Sequence, residues 1–468
     1  MVRNRKVFKK TVSIVNEKST DMYESLVGDK KGFLLESYDK NYDRYTFFGM
    51  EPEEIVTSRG NALVITKADG TEEVREGNPL ERLKEYYSEF HIEKEDEELS
   101  FSGGLVGNLG YDFVRYSEVL PDNNPDEIGI ETIQMMLMTS FLMVDHVAET
   151  LTAVVLEEPS EEGREQAMEK AGQMIKKAME KKKCKRNFYH DGKIIKKSDS
   201  IEEYGEKVEK IKHYIREGHV FQTVLSQRWT IETRQTGFEL YKELRELNPS
   251  PYLYYFNYGT FEVIGSSPEM IVKKQGNKVF TCPIAGTRKR GKDEAEDKRL
   301  RDELLSDEKE RAEHVMLVDL ARNDMGRISE FGTVKVTQFM EVQNYSHVMH
   351  IVSQVEGRKK GESHPLDLVA SFLPAGTLSG APKIRAMEII DELESVRRGL
   401  YGGATGYIDF CGDMDFCITI RTMVKKGNEV YLQAGAGIVA DSVPENEYYE
   451  CCNKVMALAK TLVEEENL

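Results

Sequence analysis

The sequence predicts an α+β fold dominated by antiparallel or mixed β-sheets, and three observations support this prediction. Short stretches rich in Val, Ile, Tyr, Phe and Thr outnumber the stretches with helical periodicity. These predicted strands often follow one another directly, which disfavours a doubly wound parallel sheet. Asn, Asp and Gly separate the short strands of residues 32–67, as in an antiparallel meander.

Changes in composition divide the 468 residues into three predicted parts. Residues 1–184 hold the meander and a glycine-rich stretch, FSGGLVGNLG, whose glycines suit close sheet packing because no βαβ unit follows. A charged segment then leads into a linker at 185–200, and residues 201–468 form the larger domain. Helices are predicted at 80–90, 201–217, 237–247, 295–323, 363–372, 382–394 and 444–464.

Charge and cysteine usage exclude several classes of protein. The formal net charge of -18 argues against nucleic acid or an anionic membrane as the main partner. The basic start of the chain has no apolar core and no cleavage site, so it is not interpreted as a signal peptide, and no apolar stretch is long enough to span a bilayer. The six cysteines form no CxxC pair, which predicts reduced thiols in a cytoplasmic protein.

Two Glu-x-x-Glu pairs lie near the predicted starts of two helices, Glu310 with Glu313 and Glu447 with Glu450. The spacing places both carboxylates of a pair on one helix face. If the pairs meet, four carboxylates require a cation between them, and oxygen ligands favour Mg²⁺. The alternative is two solvated acidic faces, since 82 acidic residues produce such spacings by chance. The predicted start signals are Ser306 and Asp307 for the first helix, and Ser442, Pro444 and Glu445 for the second.

Three further stretches contain groups that could bind an anion. The run GTLSGAPK places free backbone N–H groups and the Thr377 hydroxyl before a helix, although Ser379 could simply cap that helix. Arg421 lies on an otherwise apolar predicted strand and needs a partner, which is either a ligand carboxylate or a structural acid. Gly435 and Gly437 allow a ligand to approach the backbone closely.

His347 and His350 lie three residues apart on a predicted strand, so their side chains point to opposite faces. This spacing disfavours a shared zinc ion. It leaves one of the two imidazoles for proton transfer or a hydrogen bond.

From about residue 201 to residue 460 the chain resembles the chorismate-binding region shared by anthranilate, aminodeoxychorismate, isochorismate and salicylate synthases. The resemblance rests on the ordered runs SSPEM, PIAGTR, AEHVMLVDLARND, VMHIVS, GTLSGAPK, YGGATGY, ITIRT and AGAGIVADSVP. It implies a large sandwich of antiparallel sheets wrapped by helices, with the active site and a Mg²⁺ ion between the sheets.

The resemblance also implies roles for individual residues. Glu269 is expected to protonate the departing C4 hydroxyl of chorismate, and His350 rather than His347 is expected to assist the loss of pyruvate. The implied Mg²⁺ ligands are Glu310, Glu313, Glu447 and Glu450. Thr377, which borders the ring, and Gln222 complete the implied catalytic set. The implied substrate-binding residues are Gly286, Thr287, Tyr401, Arg421, Gly435, Ala436 and Gly437.

Two positions favour one branch of this family, the large subunit of anthranilate synthase. Relatives that add water carry a lysine base where this chain has Gln222, and an amide cannot act as a base at neutral pH. Aminodeoxychorismate synthases typically read PIKGT with a lysine nucleophile, whereas this chain has Ala285, so ammonia would attack directly. The alternative function is that of aminodeoxychorismate synthase component I.

The remaining expectations concern regulation and partners. The run LLES, together with NPSPYLY from the larger domain, resembles a tryptophan feedback site, which makes residues 1–184 a regulatory domain. No GxCxG nucleophile motif of a glutaminase is present, so a separate glutamine amidotransferase subunit is expected to supply ammonia in a hetero-oligomer. The positions expected to bind tryptophan are Glu36, Ser37, Asn248, Pro249, Pro251, Tyr252 and Leu253.

Overall fold

The computed structural model describes residues 2–15, 17–37, 44–93, 99–180, 190–344, 348–361 and 363–464. His347 and most of the first half of the predicted linker lie outside these residues. The strands are β1 (Arg3–Ser13), β2 (Gly32–Glu36), β3 (Tyr45–Met50), β4 (Glu54–Ser58), β5 (Ala62–Lys67), β6 (Glu72–Glu76), β7 (Phe90–Glu93), β8 (Gly104–Leu109), β9 (Ile133–Met138), β10 (Ser140–Asp145), β11 (Thr150–Glu157), β12 (Lys193–Lys197), β13 (Gln222–Glu232), β14 (Tyr252–Asn257), β15 (Glu262–Ser267), β16 (Met270–Gln275), β17 (Lys278–Thr281), β18 (Ile284–Lys289), β19 (Lys335–Asn344), β20 (Val348–Arg358), β21 (Gly380–Ala381), β22 (Ala404–Asp409), β23 (Met414–Ile418), β24 (Thr422–Lys426) and β25 (Glu429–Ile438).

Helices surround these strands. They are α1 (Ser19–Leu26), α2 (Pro79–Tyr87), α3 (Glu161–Ala178), α4 (Ile201–Arg216), α5 (Gly237–Leu247), α6 (Glu294–Ser306), α7 (Glu308–Ile328), α8 (Pro365–Phe372), α9 (Lys383–Leu393) and α10 (Pro444–Ala459), with the short 3₁₀ turns η1 (Tyr111–Tyr116) and η2 (Gly376–Leu378). Within the described ranges, no helix is both long and apolar enough to cross a membrane.

The described strands form two large sheets, and nearly all of their pairings are antiparallel. The first sheet has the order β12-β13-β25-β24-β15-β14-β2-β3-β10-β11-β1-β7, with β21 beside β13. The second has the order β18-β20-β17-β16-β23-β22-β8-β9-β4-β5-β6, with β19 beside β20. The pair β1–β7 is parallel. The predicted α+β class is therefore confirmed.

The two sheets form a sandwich with a shared apolar interior, because every second side chain of a strand points toward the opposite sheet. Phe33 and Phe256 of the first sheet meet Val106 and Met136 of the second in one buried cluster. The outer face of the first sheet packs against α1, α3, α4, α5, α9 and α10, and that of the second against α2, α7 and α8. Each sheet contains strands from both sides of the predicted linker, as in the pairs β2–β14 and β8–β22, and β12 lies within the linker itself.

The predicted close packing at the glycine-rich stretch is confirmed. A Cβ atom at Gly107 in β8 would lie 2.1 Å from the Gln134 carbonyl oxygen, and one at Gly104 would lie 2.2 Å from that of Ile408. No side chain fits at these distances. Glycine is therefore required where β9 and β22 flank β8.

Two predicted helix starts have different outcomes. The prediction of one helix over residues 295–323 is wrong, because the helix is interrupted at Asp307 and forms α6 and α7. Asp307 caps α7 as predicted, accepting hydrogen bonds from the backbone N–H groups of Lys309 (3.1 Å) and Glu310 (3.2 Å). Ser442 was expected to cap α10, but Val443 occupies that position. The Ser442 hydroxyl instead accepts a hydrogen bond from the Val439 N–H at 3.1 Å.

The stretch DFCITIRTMV, predicted as one strand, is two strands in different sheets. β23 ends at Ile418 in the second sheet, and β24 begins at Thr422 in the first. Arg421 lies at this crossing with a φ of 52°, which is rare for a residue with a side chain. The prediction that Arg421 lies within a strand is therefore wrong, because an apolar run can be buried in two consecutive sheets as easily as in one.

Candidate active site

One cavity of about 570 Å³ opens where the two sheets come together. Its walls are formed by β13, β25 and α10 on the side of the first sheet. On the side of the second sheet they are formed by β18, α7 and the η2 turn. Arg421, at the crossing between the sheets, also lines it. The cavity thus joins segments that are more than 200 residues apart in the chain.

The four glutamates of the two Glu-x-x-Glu pairs all line this cavity. Glu310 and Glu313 project from the start of α7, and Glu447 and Glu450 from the start of α10. Burial, followed by the charge of Glu310, raises the pKa of the Glu313 carboxyl. Burial also raises the pKa of Glu447, and the charge of Glu450 adds to that rise. The charge of Glu450, which belongs to the other pair, also raises the pKa of Glu313. The two pairs therefore interact across the cavity, which favours convergence over two separate solvated faces.

Cations lie among these carboxylates. The Lys454 ammonium donates hydrogen bonds to Glu450 Oε1 at 2.7 Å and to the Gly435 carbonyl at 2.9 Å. Arg288 Nη1 lies 3.3 Å from Glu310 Oε1. These basic residues were missed at the sequence level, although Lys454 follows Glu450 by four residues on one helix, a spacing that indicates an ion pair.

The four glutamates form a donor set made of carboxylate oxygens alone. Carboxylate oxygens are the ligands that this ion prefers, and a divalent cation would reverse the raised pKa values of Glu313 and Glu447. As the described side chains lie, no group of three His, Cys, Asp or Glu could hold an ion, and Lys454 and Arg288 bond two of the four glutamates. The chemistry fits Mg²⁺, provided that these two bonds exchange for bonds to the metal.

The Arg421 guanidinium forms no hydrogen bond or ion pair with any described residue. Its accessible surface faces the large cavity and the adjoining mouth beside α10. The surrounding protein desolvates the guanidinium and lowers its pKa, although the side chain is exposed to the cavity, and no acid among the described residues offsets that effect. The sequence left two possible partners open, a structural acid and a ligand carboxylate. A structural acid is not observed among the described residues. An anion in the cavity would provide the missing partner.

The glycines of β25 bring polar groups to the cavity wall. A Cβ atom at Gly435 would lie 3.0 Å from the Tyr401 hydroxyl, and one at Gly437 would lie 2.3 Å from Gln222 Nε2. Gly435, Gly437, Tyr401 and Gln222 all line the cavity. Ala436 does not, because alternation along β25 turns its side chain into the core beneath α9 and α10.

Glu269 lies on the cavity wall in the short connection between β15 and β16. Burial raises the pKa of its carboxyl to about 7, and a hydrogen bond from the Thr377 hydroxyl (3.1 Å to Oε1) opposes that rise. A carboxyl group with such a pKa can hold a proton near neutral pH and release it to a leaving group. Both residues line the cavity, as predicted from the sequence.

His350 lies behind the cavity wall rather than on it. Its Nδ1 lies 3.0 Å from the Gly286 carbonyl oxygen and 3.0 Å from the Thr287 hydroxyl, and both of these residues line the cavity. Because a carbonyl only accepts, Nδ1 carries the proton and Nε2 is the basic nitrogen. Burial lowers the pKa of His350 and thereby favours the neutral ring.

A second, smaller cavity of about 180 Å³ lies between the sheets. It is lined by Glu36, Ser37, Pro251, Tyr252 and Leu253 from the predicted tryptophan site. The Ser37 hydroxyl is buried and has no hydrogen-bond partner among the described residues. The cavity therefore contains a polar group that a ligand could satisfy.

Four of the predicted tryptophan-site residues do not present a side chain to this cavity: Glu36 and Leu253 line it, but their side chains have contacts on the other face of the sheet, and the other two do not line it. The Glu36 carboxylate accepts hydrogen bonds from the Tyr241 hydroxyl and from Arg245 Nε (2.8 Å) on the helix-covered face. Leu253 packs in the same outer core. Asn248 and Pro249 do not line the cavity, and Asn248 Nδ2 donates to the Ala457 carbonyl at 3.2 Å. Alternation along β2 and β14 explains the first two orientations.

Comparisons with known proteins agree on one family. The sequence model for chorismate binding enzymes matches residues 32–460. Anthranilate synthase component 1 of Acetivibrio thermocellus is 46% identical over 445 residues, covering 92% of this chain and 90% of that protein. The Aquifex aeolicus protein of the same name is 44% identical over 441 residues, covering 92% and 88%.

Solved structures agree with the sequence matches. The crystal structure of anthranilate synthase component I from Streptococcus pneumoniae TIGR4 gives a TM-score of 0.80 at 38% identity, covering 89% of this chain and 92% of that one. A menaquinone-specific isochorismate synthase from Escherichia coli, only 17% identical, gives a TM-score of 0.75 and shares the fold.

Proposed function

The chain belongs to the family of chorismate-binding enzymes, as its motifs predicted, and we infer that it catalyses the reaction of the anthranilate synthase large subunit. It is a lyase that converts chorismate and ammonia into anthranilate, pyruvate and water. The relatives at 41% to 46% identity carry this name, so the aminodeoxychorismate branch is not favoured. The observation that best supports a dianionic substrate is that one cavity holds both the unpaired Arg421 and the four glutamates.

The two carboxylates of chorismate would bind at opposite sides of this cavity. Arg421 suits the enolpyruvyl carboxylate, because its guanidinium has no acid partner among the described residues and a fork of N–H donors binds a carboxylate in two places. The backbone around Gly435 and the Tyr401 hydroxyl adjoin that position. The ring carboxylate would face the glutamates. Mg²⁺ would be held by Glu310, Glu313, Glu447 and Glu450. When bound, it neutralises that carboxylate and offsets the negative charge around the site.

The first chemical step needs an acid near C4 of the ring. Ammonia adds its nitrogen to C2, the ring double bonds shift, and the C4–O bond breaks with its electron pair on oxygen. The ammonium group formed on C2 releases one proton to water and becomes an amine. Glu269 donates its proton to that oxygen, which departs as water. The raised pKa of Glu269 supports this role, since a carboxyl that keeps its proton near neutral pH can act as a general acid.

The second step forms the aromatic ring. The proton on C2 is removed, the C3–O bond breaks, and the enolpyruvyl group takes up a proton to leave as pyruvate. His350 is neutral because burial lowers its pKa, and its Nε2 is the basic nitrogen, which supports a role in this proton transfer. Because Gly286 and Thr287 separate it from the cavity, that role requires a small rearrangement or a bridging water.

The source of ammonia and the control of activity complete the proposal. A separate glutamine amidotransferase subunit would deliver ammonia, and the two chains would form a hetero-oligomer in the cytoplasm. Tryptophan would inhibit by binding in the smaller cavity between the sheets. Its apolar walls suit an indole ring, and the buried Ser37 hydroxyl suits a polar group of the ligand.

The test is a product assay on the purified full chain with chorismate, Mg²⁺ and ammonium, with and without tryptophan. Fluorescence should report anthranilate, and mass spectrometry should report equal amounts of pyruvate. Chelation of the metal should stop turnover, and tryptophan should suppress it. An aminodeoxychorismate product would instead assign the chain to the other branch, and failure to consume chorismate would refute the proposed function.

A further inference from the structure

A buried ion pair lies directly behind the walls of the large cavity. Arg398 and Glu394 are 1% and 4% exposed, and two hydrogen bonds join them, from Nε to Oε2 (2.9 Å) and from Nη2 to Oε1 (2.6 Å). Neither residue lines the cavity. Glu394 Oε1 also accepts from the Ser226 N–H (2.9 Å) and from the Ser226 hydroxyl (2.7 Å).

The remaining contacts of Arg398 lead to three separate walls of that cavity. Its Nη1 donates to the Leu378 carbonyl (2.5 Å) and its Nη2 to the Val224 carbonyl (2.9 Å). The guanidinium also lies 5.6 Å from the centroid of the Tyr401 ring and 4.6 Å from that of Tyr111. Four of its five N–H donors are therefore used. Leu378, Val224 and Tyr401 all line the cavity.

Two of these contacts lead to groups that the proposed reaction uses, and the third leads to the β13 wall of the cavity. Leu378 directly follows Thr377, whose hydroxyl bonds to Glu269. Val224 is two residues from Gln222 on β13, and the Tyr401 hydroxyl adjoins the Gly435 backbone. Stability alone does not explain such a pair, because well-packed apolar residues often replace a buried ion pair without loss.

We propose that Arg398, oriented by Glu394, is a positioning residue. It fixes the positions of the η2 turn and of Tyr401 on either side of the substrate. Its planar fork of donors spans two backbone carbonyls and a carboxylate at once, which the single ammonium of lysine cannot do. This inference rests on the proposed function, because Thr377, Glu269 and Tyr401 matter only if that reaction occurs here.

The test begins with Arg398→Lys, which keeps the positive charge. Misplacing a reacting group by about 1 Å costs on the order of 100-fold, so kcat should fall about 10- to 100-fold. The KM for ammonium should stay within about threefold, since the proposal gives the η2 turn a role in holding the acid and none in binding ammonia. If the wild-type chain makes no anthranilate, the proposed function fails. If it does and the variant equals it, only this inference fails.

A pH profile distinguishes positioning from general destabilisation. The hydrogen bond from the Thr377 hydroxyl lowers the pKa of Glu269. If the η2 turn loosens, that pKa should rise, and the fall of kcat at basic pH should shift to higher pH. Thr377→Val should move this fall in the same direction. The double variant with Arg398→Lys should move it no further, because the hydroxyl is already absent. A second, additive shift in the double variant would overturn the proposal.

Arg3→Lys is the matched control. Arg3 pairs with the buried Glu54 (3.0 Å) and stacks on Tyr86 and Phe90, but it lies far from the cavity. This variant should leave kcat and its pH profile unchanged, and an equal loss of kcat there would overturn the proposal.

If Arg398→Lys does not fold, Ser226→Ala removes one donor to Glu394 and keeps the ion pair, although it also removes the acceptor of Gln433 Nε2 (2.8 Å). It should give a smaller fall in kcat, about threefold, with the same direction of the pH shift. A folded Ser226→Ala enzyme with a wild-type pH profile would overturn the proposal.

Discussion

Arg421 combines a strained backbone with a side chain that has no described partner, and substitution can separate the two properties. Its φ of 52° lies in the left-handed region, where a residue other than glycine costs about 1–3 kcal/mol. The guanidinium contributes no hydrogen bond or ion pair to the described structure. We therefore expect this residue to be retained for substrate binding at the expense of stability.

The prediction compares Arg421→Gly with Arg421→Ala. Both substitutions remove the guanidinium, but only glycine relieves the left-handed conformation. Glycine also loses about 0.5–1 kcal/mol of chain entropy on folding. The free energy of unfolding of Arg421→Gly should therefore exceed that of Arg421→Ala by about 0.5–2 kcal/mol. Both variants should bind chorismate poorly.

The loss of binding can be estimated from the same geometry. A hydrogen bond to a charged group contributes about 1.5–3 kcal/mol, and about 1.4 kcal/mol corresponds to a factor of ten. The KM for chorismate should therefore rise about 10- to 150-fold in both variants. Tyr401 and the backbone around Gly435 remain, so binding should weaken without disappearing.

Denaturant unfolding and steady-state kinetics measure the two effects separately. Glu149→Gly is the matched control, because Glu149 also has a left-handed φ of 51° but lies in the exposed turn between β10 and β11. It should gain stability without any change in KM. If Arg421→Ala were as stable as Arg421→Gly, the strain argument would fail. A rise in KM below tenfold would place the carboxylate clamp elsewhere.

Three further predictions concern the metal, the acid and the regulatory cavity. Glu450→Gln should abolish Mg²⁺-dependent turnover and weaken Mg²⁺ binding in calorimetry, whereas Glu445→Gln on the same helix should do neither; normal turnover in Glu450→Gln would remove the metal assignment. At a fixed concentration of unprotonated ammonia, kcat/KM for chorismate should fall as the pH rises through about 7, because Glu269 loses its proton there, and a flat profile would exclude it as the acid. Ser37→Phe should fill the smaller cavity and relieve inhibition by tryptophan, and an unchanged inhibition curve would mean that tryptophan binds elsewhere.

Local features were predictable from the sequence because they depend on neighbouring residues. The helix at 237–247 has the predicted bounds, and Asp307 caps α7, since spacing and capping act within a few residues. The antiparallel class follows equally from strands that succeed one another. The Glu-x-x-Glu spacing placed two carboxylates on one face, but only the fold shows that α7 and α10 line the same cavity.

Long-range features escaped prediction for a physical reason. The apolar run around Arg421 is buried on both sides of the crossing, so its hydrophobicity gives no sign that the chain changes sheets there. The sequence predicts that successive side chains of a strand point to opposite faces. It does not predict which of the two faces lines a cavity. Glu36, Leu253 and Ala436 therefore have side chains that point away from the cavities they were expected to serve.

The two cavities adjoin each other along one short segment, which gives inhibition a direct structural route. Pro268 and Met270 line the smaller cavity, while Glu269 between them lines the larger one. Ile284 contributes to both. A ligand between the sheets therefore contacts the residues on either side of the acid. A shift of this segment would move the Glu269 carboxyl relative to Thr377 (3.1 Å) without any change in α7 and α10. Inhibition by this route should lower kcat more than it raises the KM for chorismate, because it displaces the acid and leaves Arg421 in place.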